Sequence, residues 1–432
     1  MSAPRSGLAP TTTRHETGTM LKRIGLLLSL SLMLSACGAL RPHHPPPGAT
    51  EGKVAVAGMP GVRAWGDAFS PEFQKDMIES VAQEKAGGLF KDGDTVSILA
   101  ISGGGGDGAF GAGLINGWTV SGKRPNFKLV TGVSTGALTA PFAFLGPAYD
   151  EKLKKVYTTL KSSDIFMLKS VLAMLKSDAI GLNDPLSKLT TEYVDEQMLK
   201  DIAAEHRKGR RLYIGTTALD AQRPVIWNMG AIAASGHPDA PELFRKVMIA
   251  SAAVPAVFPP IYFKVDANGK TYDEMHVDGG VTNQVFMYGP VLDPLRMAKE
   301  MGVVERRRNF AVYVLRNTQL KPDWKKVTPT IRSIIPRAVS TLIKSQGVGD
   351  IYRIYTNAQR DNFDFNLAFI PDEMDTSDRA DEFDNGVMNV LFDTGYKLAR
   401  NGYRWRKGPP GFLPLEPTDG ALKVVPASSP AR

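Results

Sequence analysis

The sequence predicts an α/β fold built on a largely parallel sheet. Three observations lead there: four short apolar runs rich in β-branched residues, helical patterns between them, and glycine-rich turns directly after two of the runs. Thr95–Ile101, Phe127–Thr131, Arg211–Thr217 and Asn309–Leu315 are the runs, and their nearly continuous apolarity is that of strands covered on both faces. Asp150–Thr159 and Pro185–His206 carry helical periodicity between strands, and Phe69–Val81 is expected to be an amphipathic helix leading into the main domain. No second independent catalytic pattern occurs. One large domain over residues 95–400 therefore follows a signal or pre-sequence (1–36) and a tether with an N-terminal segment (37–94), and a Pro- and Gly-rich tail (401–432) ends the chain.

Composition narrows the functional classes. The 432 residues are 43% hydrophobic and 22% charged, ordinary for a globular protein and too apolar for wholesale disorder. Of the net charge of +8, residues 1–36 contribute three (Arg5, Arg14, Lys22 and Arg23 against Glu16), leaving +5 on the rest. A charge that small and evenly spread is no basis for nucleic-acid binding, but it suits an anionic membrane surface. A single cysteine excludes an intramolecular disulfide and a cysteine-based metal cage.

That cysteine stands at a telling place. Met20-Leu-Lys-Arg precedes the apolar run Ile24–Leu34, too short to cross a bilayer and organised like a secretory signal. The run ends Leu34-Ser35-Ala36-Cys37, which resembles the lipobox of bacterial lipoproteins, so lipidation of Cys37 and a place in the bacterial cell envelope are expected. Gly38 after the cysteine, where an inner-membrane retention signal often has Asp, favours the outer membrane by analogy. His43 and His44 in the proline-rich stretch that follows belong to a solvated spacer.

Chemistry gathers at three places. Gly103, Gly104, Gly105, Gly106 and Gly108 form a turn after the first strand that offers backbone N–H groups to an anion, a phosphate or a developing oxyanion. A dinucleotide site would need an acidic residue about 20 positions on, and none occurs between Asp107 and Asp150. Gly132-Val133-Ser134-Thr135-Gly136 follows the second strand and precedes an apolar helical stretch, the order of a nucleophile elbow exposing Ser134. His276-Val277-Asp278-Gly279-Gly280 offers bases: His276 and Asp278 share one face of an extended segment, and either can accept the serine proton. His206, among charges, reads as a solvated helix end, and His237 as part of a surface loop.

Together these motifs, with Gly215–Asp220 and Ala250–Pro260, resemble the patatin-like phospholipase family. The resemblance runs from about Thr95 to Val285 and implies a three-layer α/β/α sandwich. It also implies a Ser–Asp dyad acting through an acyl-enzyme, with Ser134 as nucleophile and Asp278 as proton acceptor. The Gly103–Gly108 turn would be the oxyanion hole, Gly132, Gly136, Gly279 and Gly280 the turn-forming motif residues, and His276 an auxiliary neighbour. No metal or cofactor is implied. Asp107 departs from the pattern, since many members carry Arg or Lys there, so neutral glycerides stand beside phospholipids as candidate ester substrates. An inert envelope lipoprotein on a hydrolase scaffold, and a lipid acyltransferase using the same dyad, stay open as alternatives.

Overall fold

The computed structural model describes residues 44–48, 54–88, 93–159, 162–165, 167–168, 181–182, 184–302, 309–322, 324–374 and 381–412. The signal segment, Cys37 and His43 lie outside them, as do most of residues 165–176 and the tail beyond Phe412. The strands are β1 (Ala55–Val56), β2 (Arg63–Trp65), β3 (Thr95–Ile101), β4 (Phe127–Gly132), β5 (Met167–Leu168), β6 (Gly181–Leu182), β7 (Arg211–Ala218), β8 (Arg223–Asn228), β9 (Ile261–Ala267), β10 (Lys270–Asp278), β11 (Asn309–Arg316) and β12 (Phe363–Phe369). The helices are α1 (Pro71–Gly87), α2 (Gly108–Val120), α3 (Thr135–Leu145), α4 (Asp150–Thr158), α5 (Ser162–Ile165), α6 (Asp184–Tyr193), α7 (Glu196–Arg207), α8 (Met229–Ala234), α9 (Ala240–Ser251), α10 (Pro294–Glu300), α11 (Ile331–Arg360) and α12 (Asn385–Arg400).

The main sheet runs β1-β9-β10-β7-β4-β3-β11-β12, with β8 on β7 and β2 on β8. The four sequence-read strands β3, β4, β7 and β11, joined by β12, pair in parallel. β8, β9 and β10 extend the sheet antiparallel, making it mixed and mostly parallel at its centre. Alternation along β3 explains the layers: Leu99 and Ile101 face a core with Phe110, Leu114, Phe144 and Leu391, from α2, α3 and α12. Ile98 and Ala100 face the opposite core, with Phe73 and Met77 of α1 and Ile351 and Ile354 of α11. Two apolar faces covered by helices are the α/β/α sandwich.

Ser70 caps α1 by accepting from Phe73 N–H, and Gly88, at φ 62°, ends it in the left-handed conformation. Arg211 holds α1 to the sheet, donating from Nε to Asp76 Oδ2 at 2.6 Å. At the other end of the chain, Arg406 exchanges backbone hydrogen bonds with Leu367, and Trp405 packs on Trp118, so residues 401–412 lie against the body.

Candidate active site

Register alone brings the distant motifs together. Along one edge of β7, Gly132 at the end of β4 pairs with Ile214, and Asp278 at the end of β10 pairs with Thr216. Two strands thus end facing one another two β7 residues apart, about 7 Å. Ser134 follows β4 by two residues and reaches the space between them.

Ser134 sits at φ 55° and ψ −126°, a strained backbone for a residue with a side chain, immediately before α3. The elbow closes tightly: a Cβ on Gly136 would lie 2.4 Å from Ile101 O, so only glycine lets α3 start against the end of β3. Ser251 Oγ accepts from Ser134 N–H at 3.0 Å and donates to Gly215 O at 2.6 Å, fixing the elbow to β7. At the opposing strand end, Gly279 passes so close to β7 that a Cβ would meet Gly215 O at 2.3 Å.

Asp278 is buried, and Oδ1 accepts from Gly280 N–H at 2.6 Å. Oδ2 closes no hydrogen bond among the described residues, while the Ser134 hydroxyl is near enough to draw the pKa down. Burial outweighs both and pushes the carboxyl up to about 7. A carboxylate with a free oxygen, half protonated near neutrality, is matched to taking and returning a proton.

His276 is placed elsewhere. Its Nδ1 pairs with Thr216 Oγ1 at 2.8 Å and its Nε2 with Glu274 at 2.7 Å, and Glu274 is also held by Arg63 in a buried ion pair. Both ring nitrogens are used by the sheet, and neither is directed to Asp278. His206 corrects the sequence expectation of a solvated helix end: it is 8% exposed, and Gly230 of α8 packs against its ring. His237 lies in the loop before α9, half exposed.

The glycine turn divides its amides. Gly103 N–H is used on Gln284 O at 3.1 Å, Asp107 N–H on Gly104 O, and Gly108 N–H on Gly105 and Gly106 O. The amides left for an oxyanion are those of Gly104, Gly105 and Gly106, which make no backbone hydrogen bond among the described residues. Asp107 occupies the N-cap position of α2, where the positive helix end favours a negative charge.

Four residues of the site were not read from sequence: Ser251, Gln284, Arg316 and Asp350. Gln284 Nε2 donates to Gly280 O at 2.8 Å, and Asp350 Oδ2 accepts from Gln284 N–H at 2.6 Å, so α11 holds the loop behind Asp278. Arg316 ends β11 and is 2% exposed, with Nη1 unpaired among the described residues. Burial lowers its pKa to about 10, with Asp350 opposing the shift. The signal for Arg316 was available, because ligands of parallel sheets collect at the strands' C-terminal ends. Ser134, Asp278, Gly104, Gly105 and Arg316 all line one cavity of about 2160 Å³, whose walls include Leu138, Phe142 and Phe258. Among the described residues no cluster of three or more His, Cys, Asp or Glu gathers to hold a metal.

A mostly parallel sheet between helical layers, with a strained serine between strand and helix and a buried carboxylate opposite, has the geometry of a nucleophile elbow. Residues 99–288 match the model of the Patatin-like phospholipase family, and the chain carries a patatin-like phospholipase domain over that stretch. Among solved structures it is similar to VipD from Legionella pneumophila, at 14% identity and TM-score 0.33, covering 70% of this chain and 67% of that one. It is also similar to the complex of full-length SpcU with full-length ExoU from the type III secretion system of Pseudomonas aeruginosa, at 12% identity and TM-score 0.31. That match covers 72% of this chain and 52% of the other. No curated protein sequence matches the chain.

Proposed function

We propose that the protein is a serine acyl hydrolase of lipid carboxylic esters, working through a Ser134–Asp278 dyad. The observation that carries this reading is the meeting of the strained Ser134 with a buried carboxylate of pKa about 7 inside a largely apolar cavity. Asp278 Oδ2 takes the Ser134 proton as Oγ attacks the ester carbonyl, and the amides of Gly104–Gly106 with the N-terminus of α3 stabilise the oxyanion. Collapse expels the alcohol, which leaves with the proton from Asp278. Water, deprotonated in turn by Asp278, then attacks the acyl carbonyl, and Ser134 Oγ leaves with that proton from Asp278, releasing the fatty acid and restoring the dyad.

Arg316 supports a phosphate-bearing ester, since its buried guanidinium offers the cavity the positive charge that Asp107 withholds. The lipobox-like segment supports anchoring at a bacterial envelope membrane, and loss of a lipid label in Cys37→Ser tests it.

Ser134→Ala and Asp278→Asn are each expected to lower ester hydrolysis by about 10³-fold or more, and Ser134→Ala to abolish labelling by a fluorophosphonate. His276→Ala, assayed after verifying its fold, should keep the pH profile of the native protein. A wild-type protein that neither labels nor hydrolyses phospholipid or glyceride would favour the inert scaffold. Product analysis with acceptor lipids present separates hydrolysis from acyl transfer.

A further inference from the structure

The C-terminal half of α11 is packed into the body through Gly347, Asp350, Ile351 and Ile354. Its N-terminal half, and the segment leading into it, are not. Trp324 is 86% exposed, Ile331 75%, Ile334 49% and Ile335 56%, with Val339 and Leu342 continuing the apolar surface. Water is a poor environment for so much apolar surface on one stretch. The same stretch is basic throughout: Lys325, Lys326, Arg332, Arg337 and Lys344 occur between residues 324 and 349 without one Asp or Glu. No helix among the described residues is long and apolar enough to cross a membrane. Val339, Leu342 and Lys344 also line the cavity that holds Ser134, so whatever covers this half-helix lies beside the entrance to the site.

We infer that residues 324–344 form an interfacial arm that lies in the head-group region of an anionic lipid bilayer and sets the Ser134 cavity against it. A mixed apolar and basic segment ending in an exposed tryptophan fits that layer, with the apolar side chains inserted and the cations among lipid phosphates. A second copy fits poorly, because pairing the arms would set five cations against five. The choice of a bilayer rests on the lipid-ester reading above, while the binding itself needs no turnover.

The test uses the full chain carrying Ser134→Ala, so that vesicles stay intact. Emission from Trp324, isolated by difference against Trp324→Phe, is followed with vesicles of equal phosphatidylglycerol and phosphatidylcholine, and of phosphatidylcholine alone, both containing brominated phosphatidylcholine. This readout is local to the arm and independent of any other anchor. Expected are a blue shift and bromine quenching on the anionic vesicles, weakened about tenfold or more by Ile331→Ser/Ile334→Ser/Ile335→Ser and by Lys325→Glu/Lys326→Glu/Arg332→Glu. With Ser134 restored, both triple variants should hydrolyse a soluble short-chain ester at the wild-type rate and lose activity on vesicular phospholipid. Full quenching in the triple variants, equal quenching on neutral vesicles, or a Trp324 already shielded by self-association or an acidic protein partner would overturn the proposal. Failure of the soluble ester assay with quenching intact would instead overturn only the hydrolase reading.

Discussion

Asp278 meets two opposed demands, and its titration exposes both. As the base it must be ionised, so kcat/KM is expected to be half-maximal near pH 7 and to fall about tenfold per pH unit below that. Its folded pKa stands above the ordinary 3.8, so between about pH 4 and 7 the unfolded chain ionises where the native one stays protonated. The Asp278 contribution to stability therefore drops as pH rises through that window and is lowest above 7. Asp278→Asn keeps an acceptor for Gly280 N–H but carries no charge. It is expected to be inactive and, at pH 8, about 2–4 kcal/mol more stable than wild type, a gain that vanishes near pH 4. Urea unfolding at the two pH values checks it. Sequence spacing left His276 and Asp278 equivalent because both lie on one face of β10. Only Asp278 is the strand's last residue, placed where β4 also ends, and that pairing across β7 is written in no local pattern.

At the scale of elements, four of the five parallel strands are legible almost to the residue because covered strands are apolar throughout: β3 begins and ends as read, and β4, β7 and β11 each run one residue further, whereas Asp364 and Asn366 break the apolar run of β12 and hide it. β8 to β10 escaped notice since their mixed polarity, as in Lys270-Thr271-Tyr272-Asp273-Glu274, gives no comparable run. Gly113 and Gly117, on α2 beyond the glycine turn, serve packing. A Cβ on Gly113 would lie 2.0 Å from Phe392 O, and one on Gly395 2.2 Å from Phe110 O, so α2 and α12 meet backbone to backbone. Gly113→Ala must push α12 away from α2 and is expected to cost about 1–3 kcal/mol in denaturant unfolding. The end of β11 carries a different consequence. Arg316→Gln removes the cavity's buried cation while keeping most of the volume, and should lower turnover of phospholipid by about tenfold or more relative to a neutral glyceride. Equal losses on both substrates would assign Arg316 to holding Asp350 rather than to the ligand.

For the molecule as a whole, the acid response depends on a residue that the sequence misplaces. Glu205-His206-Arg207-Lys208 reads as a solvated helix end, but α8 packs over it, which charge pattern alone does not reveal. Burial, followed by the positive charges of Arg211, Arg207 and Lys128, lowers the His206 pKa from 6.5 to about 3. Below about pH 6.5 the unfolded chain binds a proton that native His206 refuses, so stability is lost as pH falls from there towards 3. Asp278 works the other way over much of the same range, gaining stability as pH falls from 7 towards 4, and the two slopes largely cancel. Removing either member should uncover the other. His206→Gln, which keeps a neutral polar side chain, is expected to gain about 2–3 kcal/mol relative to wild type between pH 7.5 and 4.5. Asp278→Asn should lose stability over the same interval, and the double variant should run nearly level. Urea unfolding of the four proteins at both pH values decides it: parallel pH dependences in wild type and His206→Gln would mean that the imidazole is protonated in the native state.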